Sequence, residues 1–335
     1  MTVRLRRSLP RFRRRSRPVP VLGLLAAAVL ACAAFTLRVR AQERVSVRIE
    51  AMPQAAARVP AGSIEVDGVL VSVPPLAPPR PFLATHRVIS FYGTPLTGAL
   101  GALGEQPPEE TVERLRAQAA AYAPLSSDRE VVPAFHLLYA VAQGYPGADG
   151  TYLRRLDDAT VERWVRLARE HGFLVFLDVQ VGKSSVEREL PRLFKFLVEE
   201  HVHVALDPEF AWGEAGEPGE HIGHLTGPQI NQAQALLQRF AIEHKLPTKI
   251  LIVHQFLPGM VKQRDAIRRY DRVELVFDVD GFGPRHVKRG AWEQVIVDND
   301  VELAGIKLFY KFDPELMTPA DVLSLSPQPV VVIYQ

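Results

Sequence analysis

The chain has 335 residues, 47% of them hydrophobic and 23% charged, an ordinary globular composition with apolar material for one large core. The formal net charge is +2, but residues 1–18 are rich in arginine and hold no acid, so the remainder is mildly acidic. A nucleic-acid binder carries its basic residues on the folded domain, so no nucleic-acid partner is expected. Cys32 is the one cysteine, which excludes an intrachain disulfide and a Cys-rich zinc site.

Residues 1–41 read as a signal peptide or membrane anchor. The arginine-rich start precedes an uncharged run from Pro18 to Leu37. Three fates fit it. Val29-Leu30-Ala31-Cys32 resembles a lipobox, which would make Cys32 a lipidation site. Cleavage after Ala41 would release a soluble protein, and an uncleaved run of about 20 residues is long enough to span a bilayer with the arginines inside. In each case the protein is expected to be exported, either membrane-anchored or extracellular in the cell envelope. Residues 42–85 follow as a Pro-rich stalk with short strands: Val45–Ile49, and Ser63–Val71 as a hairpin about Asp67-Gly68. The prolines from Pro74 to Pro81 suit a stiff spacer.

From residue 86 to 335, apolar runs alternate with amphipathic patterns. Predicted strands are Arg87–Tyr92, Val131–His136, Phe173–Asp178, Val202–Asp207, Lys249–His254, Val273–Asp278, Gly305–Tyr310 and Pro329–Tyr334. Predicted helices are Pro108–Tyr122, Ala159–His171, Ser184–Glu199, Pro228–His244, Pro258–Tyr270, Arg289–Asp298 and a short turn at Thr318–Leu323. Trp164, Val165, Leu167 and Ala168 recur at helical spacing and read as core. Strands and helices in this alternation over about 250 residues predict an α/β protein with a (β/α)8 barrel of the TIM type. An open doubly wound sheet is the rival, but the Gly-rich phosphate loop usual after its first strand is missing.

Barrels place their chemistry where the strands end. The strand ends here carry Tyr92, His136 and Tyr139, Asp178 and Gln180, Asp207 and Glu209, His254 and Gln255, Asp278 and Asp280, then Lys307, Tyr310 and Lys311, and finally Tyr334 and Gln335. Charges buried without partners are expensive, so a polar ring of this kind points to function. Asp207 and Glu209 are two apart and face the same side while the chain is extended. Two carboxyls in one low-dielectric pocket push their pKa values apart, the division of labour used by glycosidases. The candidate catalytic residues are therefore Glu209, Asp207, Asp178 and Asp278. Candidate substrate-binding residues are Tyr92, His136, Gln180, Trp212, His254, Gln255, Asp280, Lys307, Tyr310 and Tyr334. Aromatic side chains near the strand ends (Tyr139, Tyr145, Phe210, Phe256 and Phe282 among them) suit stacking on sugar faces, and the Gly-rich loops 142–150 and 213–227 are placed to wall a cleft.

No cofactor is called for, and no metal ligands are assigned because no diagnostic spacing is present. A metal remains open as an alternative: Asp178, Asp207, Glu209, Asp278 and Asp280 offer hard oxygen ligands, and His136 and His254 suit a transition metal. Lys307 is expected to pair with Asp278.

Leu206-Asp207-Pro208-Glu209 resembles the Asp-x-Glu at the fourth strand of chitinase-type and lysozyme-type glycosidase barrels. That resemblance implies Glu209 as the acid and Asp207 as its electrostatic partner. The chain departs from the chitinase motif at Val202 and Ala205, and has Lys307 where another glycosidase group carries a nucleophilic Glu. From Arg87 to Gln335 the chain also resembles a family of exported or lipoprotein-like bacterial barrels, through Phe91-Tyr92-Gly93, Pro133-Ala134-Phe135-His136, Phe176–Gln180, Ala205–Phe210, Val253–Phe256, Asp280–Gly283, Gly305–Tyr310 and Val332–Gln335. This implies an exported barrel and supplies no reaction. The expected function is a cell-envelope glycoside hydrolase-like protein acting on a polysaccharide or glycan by carboxylate acid/base chemistry. A non-catalytic envelope glycan-binding surface (lipo)protein and a metal-dependent hydrolase are the alternatives. The expected partners are a glycan or other cell-envelope ligand and, through the N-terminal segment, a membrane.

Overall fold

The computed structural model describes residues 58–66, 69–72, 79–213, 219–299 and 301–335. The proposed signal or anchor (1–41), Cys32, the Val45–Ile49 strand and most of the proline spacer lie outside these residues.

Eight parallel strands form a closed barrel: β1 (His86–Gly93), β2 (Glu130–Ala142), β3 (Leu174–Gly182), β4 (Val202–Ala211), β5 (Lys249–Gln255), β6 (Val273–Val279), β7 (Ala304–Leu308) and β8 (Val331–Tyr334). Each strand pairs with the next, and β8 pairs with β1 to close the ring (Val331 opposite Val88). Each of the eight strands predicted from residue 86 onward is present. The helices are α1 (Pro108–Ala120), α2 (Asp158–His171), α3 (Val186–Leu197), α4 (Gly227–Glu243), α5 (Arg285–Val295) and α6 (Pro319–Leu323).

Local chemistry sets the helix ends. Asp157 accepts the Thr160 amide at the start of α2, and Gly172 closes that helix in a left-handed conformation. Thr226 and Gln229 form a capping box on α4. Trp164, Val165 and Ala168 of α2 are buried and Leu167 packs beside them, as their spacing predicts.

Period-two alternation along the strands splits the apolar residues into two layers. Ile89, Phe91, Phe135, Leu177, Leu206, Val253, Ile306 and Val332 face outward and pack under the helices. Val88, Tyr92, Ala134, Phe176, Ala205, Ile252, Val276 and Ile333 fill the lumen. Leu83, from the segment just before β1, is fully buried in the lumen cluster. Its amide and that of Phe82 each donate to the buried Glu274 carboxylate at 2.8 Å, so the preceding segment seals the N-terminal end of the barrel. Ser63–Val66 and Val69–Ser72 form the expected antiparallel hairpin strands.

One predicted helix is corrected. Between β5 and β6, Pro258–Tyr270 is not an α-helix but two 3-10 turns and two short strands. Gly259 in what would be the first turn disfavours a helix, and Gln263 turns the chain with φ 50°. Val261–Lys262 then pairs with Leu225–Thr226, and Arg269–Tyr270 pairs with Arg58–Val59. Tertiary strand pairing here outweighs the apolar spacing that suggested a helix. Among the described residues, no helix is long and apolar enough to cross a membrane.

Candidate functional site at the C-terminal mouth of the barrel

The lumen changes character along its length. Above Phe176 and Ile252, the inward positions of six strands become polar: Tyr92, His136, Asp178 with Gln180, Asp207, His254, and Asp278 followed by Asp280. Lys307 joins them from β7. All nine are less than 10% exposed. Gly305, one inward position below Lys307, leaves room for this packing: a Cβ there would lie 2.9 Å from Asp278 Oδ1. Gly101, at φ 133°, lets a loop approach the Tyr92 carbonyl where a Cβ would stand 2.3 Å away.

At the centre, His254 Nδ1 lies 2.8 Å from Asp278 Oδ2, and His254 Nε2 lies 3.3 Å from Asp178 Oδ2. His136 Nε2 approaches the same Asp178 oxygen at 3.7 Å. Tyr92 tilts against both imidazoles, at 5.0 Å from His136 and 5.9 Å from His254. Lys307 Nζ sits 3.6 Å from the centre of the Tyr92 ring and 3.7 Å from Asp280 Oδ2. Lys307 thus pairs with Asp280, where pairing with Asp278 was expected. Ligand atoms of His136, Asp178 and His254 all lie within 4.8 Å of one another, a group able to hold a metal ion.

Nearer the opening, Gln180 donates to Asp207 Oδ2 at 3.3 Å, and the Glu209 amide donates to Asp207 Oδ1 at 3.1 Å. The Asp207 carboxyl is thereby fixed with Glu209 directly above it on the same strand.

The electrostatics divide this cluster. Burial, helped by the nearby Asp280 and Asp178, pushes Asp207 up to about 7. Burial and the Asp207 charge raise Glu209 well above the usual carboxylate range. Burial also raises Asp280. Asp178 behaves oppositely: burial opposes its ionisation, but His254 and His136 outweigh that and hold it below the ordinary range. Burial lowers His136 to about 4. For His254 burial is overcome by Asp178 and Asp278, which raise it to about 10.

Four sequence-proposed binding residues are not brought to this cluster. Tyr334 follows the inward Ile333, so alternation turns it outward, where its hydroxyl meets that of Tyr122 at 2.7 Å. Tyr310 stacks on Tyr334 and donates to Gln118. Gln255 follows the inward His254 and holds the next loop, donating to Leu257 and Pro258 carbonyls and accepting from Arg264. Trp212 is 7% exposed, and its indole N–H is committed to the His221 carbonyl. Tyr139 likewise faces the outer layer. Ser90 was not singled out from sequence, yet it is fully buried between the inward Val88 and Tyr92, and its Oγ has no partner. The same alternation, applied to every strand end, finds Ser90 and removes Tyr334 and Gln255.

The fold and this mouth define a (β/α)8 barrel protein with a buried acid, imidazole and lysine cluster at its C-terminal end. No protein-family model matches the chain, and no curated protein is similar to it in sequence.

Proposed function

We propose that the protein is a cell-envelope hydrolase of glycans, with Glu209 as general acid and Asp207 as its partner. The supporting observation is the stacked carboxyl pair at the barrel mouth, where Asp207 keeps its proton to about pH 7 and burial with the Asp207 charge raises Glu209 well above the usual carboxylate range. A carboxyl that is protonated near neutrality can give its proton to the leaving oxygen of a glycosidic bond as the C–O bond breaks. Water then supplies the new bond at the sugar carbon, and its proton restores the acid. Gln180 fixes Asp207 in the orientation that raises Glu209. Asp178 and Asp278 act beneath the pair by setting the field, and Asp280 with Lys307 flanks it.

On this reading residues 1–41 export the chain and hold it at the envelope, with Cys32 as the attachment point if it is lipidated. The resemblance to exported lipoprotein-like barrels agrees with that placement. Trp212, closed in by its own loop, offers little to a sugar, so recognition falls to Tyr92, Gln180 and the carboxyl pair.

The test is release of reducing ends from a panel of envelope polysaccharides by the full-length chain. Glu209→Gln is expected to lower turnover at least ~100-fold with the fold intact. Unchanged turnover in that variant would remove the role from Glu209. Binding without turnover in the wild type would make the mouth a recognition surface.

A further inference from the structure

We propose that His136, Asp178 and His254 form a site for one divalent transition-metal ion at the floor of the barrel mouth. The site uses other residues than the Glu209–Asp207 pair, and it stands whether or not that pair hydrolyses a glycan.

Four observations converge on it. The first is spacing. The two imidazole Nε2 atoms lie 3.3 and 3.7 Å from the same oxygen of Asp178. Bonds of about 2.0–2.2 Å to a single ion at tetrahedral angles place ligand atoms about 3.3–3.6 Å apart.

The second is saturation. All three residues are fully buried, yet both His136 nitrogens, both Asp178 oxygens and His254 Nε2 have no hydrogen-bond partner. A buried polar atom left unpaired costs about 1–3 kcal/mol, and more when charged, so five in one place mark a cluster whose capacity these side chains do not fill among themselves, the 3.3 Å approach of His254 Nε2 to Asp178 being its shortest contact. A protonated His254 lying between Asp178 and Asp278 satisfies part of this cluster but leaves both nitrogens of His136 idle.

The third is the support around the ligands. The 2.8 Å contact from Asp278 to His254 Nδ1 fixes the tautomer that leaves Nε2 bare, which is the carboxylate–histidine arrangement behind many metal ligands. His136 is stacked against Phe176 at 5.3 Å and tilted against Tyr92, so packing holds its ring.

The fourth is charge. Asp178, Asp278 and Asp280 share this space with Lys307 as the neighbouring lysine. With neutral imidazoles the set carries two net negative charges, which a divalent cation neutralises. Two imidazoles and one carboxylate select a first-row transition metal such as zinc over magnesium or calcium.

The experiment is Zn2+ and Co2+ binding to the EDTA-treated full-length chain, followed by calorimetry, metal analysis and melting. The expected result is one equivalent bound, a higher Tm on metal addition, and visible Co2+ bands of an imidazole-ligated ion. Asp178→Asn and His136→Gln are expected to weaken binding at least 100-fold, and Asp278→Asn by about 10- to 100-fold. Binding well below one equivalent in the wild type overturns the proposal, as does equal binding by wild type and His136→Gln. Should a variant fold poorly, the wild-type stoichiometry and Co2+ spectrum decide alone. None of these readouts depends on turnover, so failure here leaves the hydrolase reading intact, and a metal-loaded protein without turnover would do the reverse.

Discussion

The two ends of the barrel treat buried polar groups in opposite ways. At the N-terminal end, among the described residues, the buried charged side chains are held by several hydrogen bonds each. Glu274 accepts from the Phe82 and Leu83 amides and from Thr248. Lys249 donates to the Glu199, Glu200 and Val202 carbonyls. His203 Nδ1 accepts the Ile250 amide, and Arg87 donates to Ser126, Gln328 and the Pro329 carbonyl. At the C-terminal end Asp178, His136, His254, Asp278 and Asp280 keep bare atoms. Satisfied polar groups stabilise a fold, whereas bare ones are retained for what they bind or transfer. Burial alone does not distinguish the ends, since Glu274 and Asp178 are both buried. Partnering does.

This contrast can be broken by pH. Asp207 rises from 3.8 unfolded to about 7 folded. A raised carboxyl contributes stability that is complete below the unfolded value and is lost as pH rises through the folded one. At about 1.4 kcal/mol per pH unit, the loss between pH 4 and 7 is on the order of 3–4 kcal/mol. Thermal melts across this range should show wild type losing stability relative to Asp207→Asn as pH rises; the opposite contribution of His136, which burial keeps neutral, is common to both and cancels in the difference. A parallel decline in the variant would assign the effect elsewhere.

Removing a satisfied group should cost nearly as much. Glu274→Ala strands two buried amides and is expected to destabilise the chain by about 3 kcal/mol in urea unfolding. Asp178→Asn, at the other end, removes the carboxylate that faces His254 and His136. In metal-free buffer near neutral pH it should cost about 1–3 kcal/mol, because the imidazolium of His254 loses one of its two counter-charges. Unchanged stability would show that this pair contributes nothing to the fold. The smallest effect belongs to Tyr334→Phe, which forfeits one hydroxyl pair with Tyr122. It should cost about 1 kcal/mol and leave turnover within twofold.

The barrel was legible because its strands are short β-branched runs and its helices are strongly patterned, so local sequence and tertiary structure agree. The Pro258–Tyr270 connection misled because its apolar spacing serves strand pairing with Leu225–Thr226 and with Arg58–Val59, partners no local window contains. Most of the mouth was legible too, from acids and imidazoles ending apolar strands. What was missed is side: listing strand ends without their parity admitted Tyr334 and Gln255, which face out, and overlooked Ser90, which faces in. The convergence of His136, Asp178 and His254 also escaped sequence spacing, because the three come from β2, β3 and β5 and meet only once the barrel closes.

The most direct test takes Glu209→Gln and Glu274→Gln together, measuring for each the melting temperature and the turnover of whichever glycan the full-length wild type hydrolyses. If the mouth is for chemistry and the base for stability, Glu209→Gln keeps its Tm and loses at least ~100-fold in turnover, while Glu274→Gln melts several degrees lower and keeps wild-type turnover when folded. Turnover surviving in Glu209→Gln, or both variants losing stability and turnover alike, would contradict the division.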